Sequence, residues 1–356
     1  MTPSSSWRDD LRYVRVIRLA VATTVTMAIA QIFNWPLQYV APVLVVVLLE
    51  MPIPEPSLRN FVEYLGYAII SITGGFLFVM LLEPYPLVFI PAYLLAIFIC
   101  GYTMHKGGPF VLILLIFLTL LIFPLVGNID EGITAYLALC LLQSEILAIV
   151  IIQLAHGILP DPPGSGADAS PEYQIGYSAH SAQAAAVTAI TMVIAMTIFL
   201  TFNWTLEVVT MIFIGLLALE GSYAHSLYDA KKYLIANAIA GISAMVIYLV
   251  IVAVPRPSVF FLLFLFVSLM LASKRFSSSP SAKYYGSALI GVTIIITNSI
   301  GPGTDVDVTI IKRIFHIFLA SVYVLGAISI IEPLLKRWAQ RKTADTRLPV
   351  LKKNHV

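Results

Sequence analysis

The chain has 356 residues, of which 59% are hydrophobic and only 11% charged, with a mean hydropathy of +0.92. Soluble domains carry about a quarter charged residues, so this composition excludes a soluble globular protein and implies a chain that crosses a membrane many times. The net charge of +2 identifies no partner and gives no reason to invoke nucleic acid.

The chain opens Met1-Thr2-Pro3-Ser4 and then turns basic, with no cleavable signal peptide evident, so the first apolar segment is expected to stay as an anchor. Arg8, Arg12, Arg15 and Arg18 recur at helical spacing and form one basic face, read as a surface anchor on anionic lipid. Apolar segments then follow near 14–33, 37–51, 61–83, 85–102, 109–127 and 133–156. A second series lies near 182–202, 205–220, 232–253, 257–273, 284–300 and 308–332. Most are long enough for a bilayer core of about 30 Å. They are continuously apolar and do not alternate, which predicts helices rather than a barrel.

The two series are copies of one unit. At a shift of about 169 positions, Phe33-Asn34-Trp35 matches Phe202-Asn203-Trp204, Ser57-Leu58 matches Ser226-Leu227, and Tyr64-Leu65 matches Tyr233-Leu234. Pro84, Pro86, Val88 and Phe89 read like Pro255, Pro257, Val259 and Phe260 with a small slip. The expected fold class is an all-α integral membrane protein of about twelve transmembrane helices in two six-helix repeats. The expected divisions are a first repeat over 1–158, a flexible cytoplasmic linker over 159–181, a second repeat over 182–335 and a basic tail over 336–356.

Lysine and arginine are retained on the cytoplasmic side. With the N-terminus inside, all of the 21 basic residues except Arg256, Lys312 and Arg313 fall on cytoplasmic loops or helix ends. Both termini are therefore expected in the cytoplasm. Six crossings per copy make the repeat parallel, a build that places the substrate path between the repeats.

No phosphate-binding loop, nucleophile elbow, His-Glu-x-x-His helix or cysteine-pair metal motif is found, so no enzyme activity, metal or cofactor is expected. Cys100 and Cys140 lie in apolar segments and read as small hydrophobes. The remaining candidates are ionisable groups within apolar helices. Glu145 reads as a proton-coupling or gating carboxylate, or as the structural partner of a base. Lys312, Arg313 and His316 share a helix side and would bind an organic anion, or else Lys312 and Arg313 snorkel to headgroups. Glu50 and Glu220 end the second segment of each copy and read as gating groups. Glu50 is followed by a proline break at Pro52, Pro54 and Pro56. His225 and Asp229 beyond Glu220 read as interfacial. Gly74, Gly75 and Gly241 are expected packing sites. Thr293, Thr297, Asn298 and Ser299 form a polar stripe that lines a path or bonds across helices. The Phe-Asn-Trp corners are expected at the membrane surface.

The Arg18-x-Ala start, the Asn-Trp turn into a proline-interrupted second helix, the basic loop with Arg59 and the glycine-containing third helix together resemble the fusaric acid resistance and aromatic acid exporter superfamily. The resemblance implies efflux of small, aromatic carboxylic acids across the inner membrane. It also implies a periplasmic membrane-fusion adaptor and an outer-membrane channel as partners. Plant malate channels are distant relatives of that superfamily. This chain lacks the large cytoplasmic domains of bigger exporters. The leading expectation is a proton-coupled exporter in the lipid bilayer, with a homodimer left open. A passive anion channel and a non-transporting scaffold for envelope assembly are the alternatives.

Overall fold

In a computed structural model of the chain, structure is described for residues 10–51, 57–127, 131–162, 173, 175–202, 204, 208–221, 227–299, 315–316, 318–335 and 337. Every regular element among them is a helix. The helices are α1 (Leu11–Ile32), α2 (Val40–Leu49), α3 (Leu58–Leu82), α4 (Pro86–His105), α5 (Phe110–Gly127) and α6 (Glu131–Ile158). They continue with α7 (Ala179–Thr201), α8 (Val208–Gly221), α9 (Leu227–Ala253), α10 (Pro257–Arg275) and α11 (Ala282–Ser299). The last, α12, spans Phe318–Leu335. Eight of these, α1, α3, α4, α5, α6, α7, α10 and α12, are long and apolar enough to cross a membrane.

The second apolar segment is shorter as a helix than the sequence suggested. α2 has 10 residues, about 15 Å at 1.5 Å per residue, which is half a bilayer core. It is nearly all buried, so protein and not lipid surrounds it. The reason lies at both ends. Tyr39 supplies no side-chain cap, and the proline run starting at Pro52 cannot continue a helix.

The preceding corner shows why Asn-Trp recurs. Phe33 closes α1, and the Trp35 N–H donates to the Ala30 carbonyl at 3.1 Å while the Asn34 N–H donates to Gln31 at 3.0 Å. This is the glycine-type helix stop, which needs a left-handed residue. Asn34 provides it at φ 47°, the conformation that asparagine tolerates best after glycine. In the other half, the Trp204 N–H donates to the Phe199 carbonyl at 2.9 Å. Each tryptophan ring packs beside the phenylalanine of its own corner, Phe33 or Phe202.

α5 is the most central crossing helix. Leu115, Leu121, Ile122, Phe123 and Leu125 are fully shielded. α3 and α4 are peripheral and present Leu77, Leu81, Leu87, Leu95 and Ile99 outward, as a lipid-facing belt requires. Small residues bring the layers together. A Cβ on Gly75 of α3 would lie 2.7 Å from the Thr119 hydroxyl of α5, and one on Gly101 of α4 would lie 3.3 Å from Ala185 of α7. Gly74 faces open space, with nothing within 4 Å of its Cβ position among the described residues.

The packing partners follow a rule. α4 lies on α7 and α10 on α1; α3 on α5 and α9 on α11; α1 on α2 and α7 on α8; α5 on α8 and α11 on α2. Adding six to each helix number, counted round twelve, converts the first contact of every pair into the second.

The basic face of α1 does not look to lipid. Arg18 is only 3% exposed, and its guanidinium pairs with Asp161 at 2.8 Å and donates to the Leu159 carbonyl at 3.0 Å. Arg15 reaches the same carboxylate at 3.4 Å, and Arg12 donates to the Ser273 carbonyl of α10 at 3.0 Å. Arg8 lies outside the described residues. The expected linker is also tied down at both described ends. Asp161 holds its start, and near its end Lys106 of α4 donates to the Gly176 carbonyl at 2.6 Å and sits over the Tyr173 ring at 4.8 Å.

Candidate functional site

Glu145 is fully buried in α6. Its partner is not a base. Ser71 Oγ of α3 lies 3.2 Å from Glu145 Oε2 and 2.9 Å from the Ala68 carbonyl. Glu145 Oε1 meets no hydrogen-bond partner among the described residues, and no described basic side chain forms an ion pair with it. A serine has one proton to give. A neutral acid completes the set, since its O–H can donate to Ser71, which then donates to Ala68. An ionised one would stand desolvated against a single hydroxyl, an expensive state.

Glu50, the C-cap of α2, has a different environment. Its carboxylate pairs with the Arg275 Nε of α10 at 3.0 Å, with the glutamate side chain 9% exposed and the arginine 24%. The space for that carboxylate is made by Gly286 of α11, where a Cβ would overlap all three carboxyl atoms. Three helices thus converge on Glu50: the one it ends, one that supplies the counter-charge and one that supplies the gap. In sequence Arg275 looked like a topogenic charge, and Gly286 carried no signal.

His316 lines a cavity of about 590 Å³ between α7, α8 and the start of the last helix. Its walls include Phe199, Trp204, Ile214, Phe315, Leu319 and Tyr323, with Thr210 adding a hydroxyl. Tyr323 is fixed by donating its hydroxyl to the Thr191 carbonyl of α7 at 2.8 Å. The size falls within the range of small-molecule pockets, about 300–1,000 Å³, and the apolar lining with a few polar groups is their usual composition.

The structure does not bring the expected site residues into one place. Glu145 faces α3, Glu50 faces α10 and α11, and His316 faces the α7–α8 cavity. Lys312, Arg313 and His225 lie outside the described residues, and so do the side chains of Glu220 and Asp229. Among the described residues Thr293 and Thr297 form no bond across helices; each hydroxyl donates to the carbonyl four residues earlier, at 2.8 and 2.6 Å. Asn298 and Ser299 have no described side chain. Cys100 and Cys140 are buried free thiols. Among the described residues no three His, Cys, Asp or Glu side chains gather as metal ligands.

Residues 15–155, less than half the chain, match the profile of a family described as a protein of unknown function (DUF2955). No curated protein and no solved structure matches the chain.

Proposed function

We propose that the protein is a proton-coupled exporter of small aromatic carboxylic acids in a bacterial inner membrane. It is built from two parallel six-helix halves with both termini in the cytoplasm. The six-step recurrence of helix contacts supports the duplicated build. The periplasmic adaptor and outer-membrane channel enter this reading from the superfamily resemblance.

The observation that carries the reading is the cavity of about 590 Å³ at His316. An aromatic ring is received by Phe199, Trp204, Phe315 and Tyr323, through offset or edge contacts. The carboxylate meets His316, together with Lys312 and Arg313 shortly before it in the chain. Arginine suits a carboxylate because its guanidinium donates in parallel to both oxygens. Glu145 supplies the proton-coupling group, and the Glu50–Arg275 pair, which joins the two halves, acts in gating.

The test is transport by inverted membrane vesicles supplied with a panel of aromatic acids, with and without a proton gradient. Gradient-dependent uptake is expected. Arg313→Ala should abolish it with expression and folding intact, and Tyr323→Ala should lower the apparent affinity for aromatic acids more than for aliphatic ones. Full transport by Arg313→Ala sinks the anion-binding role. Flux that ignores the gradient makes the protein a channel.

A further inference from the structure

The segment that leads into α7 is fastened to the end of α4. Lys106, the C-cap of α4, is only 5% exposed. Its ammonium donates to the Gly176 carbonyl at 2.6 Å. It also sits 4.8 Å from the Tyr173 ring and 5.4 Å from the Tyr102 ring, within cation–π reach of both. The Ser178 N–H donates to the Tyr102 hydroxyl at 3.2 Å, and the Ser178 side chain then caps α7 by accepting from the Ser181 N–H at 3.2 Å. Gly176 turns the chain at φ +98°, which glycine adopts without strain. Residues 173 and 175–178 thus belong to a strap tied at both ends. A lysine at a helix end ordinarily snorkels to headgroups, but this one is turned inward and spent on the strap.

What the strap presents is apolar. Ile175 is 95% exposed and Tyr177 82%, with Tyr173 half-exposed beside them. Single exposed hydrophobics need no explanation, but a cluster in so short a segment marks an interaction surface. None of the described strap residues is charged.

The length of α4 says what covers it. α4 has 20 residues, about 30 Å at 1.5 Å per residue, which is the thickness of a bilayer core. Leu87, Leu95 and Ile99 face outward along it, and Tyr85 is exposed just before its Pro86 start. With Pro86 at one boundary of the core, Lys106 lies at the other. The strap that Lys106 holds is therefore level with the headgroups, where tyrosine is favoured and an isoleucine has hydrocarbon within reach. A second protein is a poor fit. Three side chains fall far short of the roughly 800 Å² per partner that a stable protein interface buries.

We propose that this strap is a membrane anchor: Ile175 and Tyr177 insert at the boundary between headgroups and acyl chains, and Lys106 fastens the inserted segment to α4. The partner is the phospholipid surface itself, engaged through its glycerol and upper acyl region and not through headgroup charge. The connection between the two halves is thereby seated in the bilayer directly before α7, where composition alone suggested a free linker. The anchor takes nothing from the cavity at His316, so it stands or falls independently of the export reading.

The test uses the full chain in vesicles of phosphatidylethanolamine and phosphatidylglycerol, with the buried thiols removed by Cys100→Ala and Cys140→Ala. A nitroxide is placed at Ile175→Cys or Tyr177→Cys, and its depth is read by electron paramagnetic resonance from relaxation by oxygen, which enters lipid, and by a water-soluble nickel chelate. Oxygen should dominate at both positions, with depths between the phosphate level and that of a label at Leu95→Cys in the middle of α4. Adding Tyr177→Asp should lower the oxygen-to-nickel ratio at position 175 at least threefold. Lys106→Gln should narrow the spectrum of the label at 175, as the strap comes free of α4. Nickel dominating at both positions puts the strap in water and overturns the proposal. A label closed to both reagents means that protein covers it, which overturns the proposal as well. An unchanged spectrum in Lys106→Gln overturns the fastening role, and if that variant fails to fold the depths at 175 and 177 still decide the anchor.

Discussion

The Glu50–Arg275 contact can be tested quantitatively because Gly286 offers an independent way to disturb it. At 3.0 Å and an effective dielectric of about 20, two unit charges attract by about 5 kcal/mol before desolvation. Solvent reaches part of the arginine, and both charges lose hydration, so the net coupling should fall to about 2–3 kcal/mol. That is above the ~0–1 kcal/mol of surface pairs and below the ~3–5 kcal/mol lost on breaking a buried one. Glu50→Gln and Arg275→Gln, alone and together, form the cycle, read from reversible unfolding of the chain in mixed micelles. The double variant should be more stable than additivity predicts by that coupling, roughly a 30- to 150-fold difference in the unfolding constant. Gly286→Ala adds the second arm. Its Cβ would occupy the carboxylate's space, an overpacking penalty of about 1–3 kcal/mol. In a Glu50→Ala background that space is vacated, so Gly286→Ala should become nearly neutral. Additivity within about 0.5 kcal/mol in both cycles would refute a structural ion pair seated on a glycine.

Glu145→Gln should leave thermal stability unchanged or raise it slightly, because the amide keeps a hydrogen bond to Ser71 and removes a buried acid; retention of gradient-driven transport in this variant would remove Glu145 from the coupling role. Asn34→Gly should be tolerated and Asn34→Ala should cost about 1 kcal/mol, since only the alanine is penalised at φ 47°; equal unfolding midpoints for the two would contradict the corner geometry. Burial pushes the Glu83 carboxyl up to about 7. A raised acid is more protonated in the folded chain, so stability from this group is present at low pH and lost as pH rises toward and through 7. Unfolding midpoints between pH 5 and 8 should therefore fall for the native chain and fall less for Glu83→Gln; identical slopes would refute it. Asp161→Ala should destabilise the chain by about 3–5 kcal/mol, because it leaves Arg18 buried without its counter-charge; a loss below 1 kcal/mol in the same unfolding assay would refute that.

The helical class and the position of most segments were legible because apolar length is a one-dimensional property. α1, α3, α4, α5, α6, α7 and α10 lie within a few residues of where hydropathy put them. The Asn-Trp corner was legible as a repeat, and its physical basis is local: a helix stop whose asparagine must be left-handed. What was not legible depends on partners distant in sequence. Arg18 looked like a lipid anchor until Asp161, on the far side of five helices, proved to be its partner. Glu50 was found as a candidate, but its counter-charge lies 225 positions further on at Arg275. Gly286 matters only through what approaches it. Glu83 went unremarked because a glutamate before Pro84 reads as an ordinary turn residue.

The charged contacts also differ in when they can form during synthesis. Arg15 and Arg18 meet an aspartate that follows directly on α6. That staple joins the first helix of the chain to the end of the sixth and takes no residue from α7 onward. It closes the first half by itself, in keeping with the vectorial order in which N-terminal units assemble. The Arg12–Ser273 and Glu50–Arg275 contacts wait for α10. They therefore act as latches that engage when most of the second half has already been inserted. A chain truncated after residue 162 retains the residues of the early staple and lacks the partners of both latches.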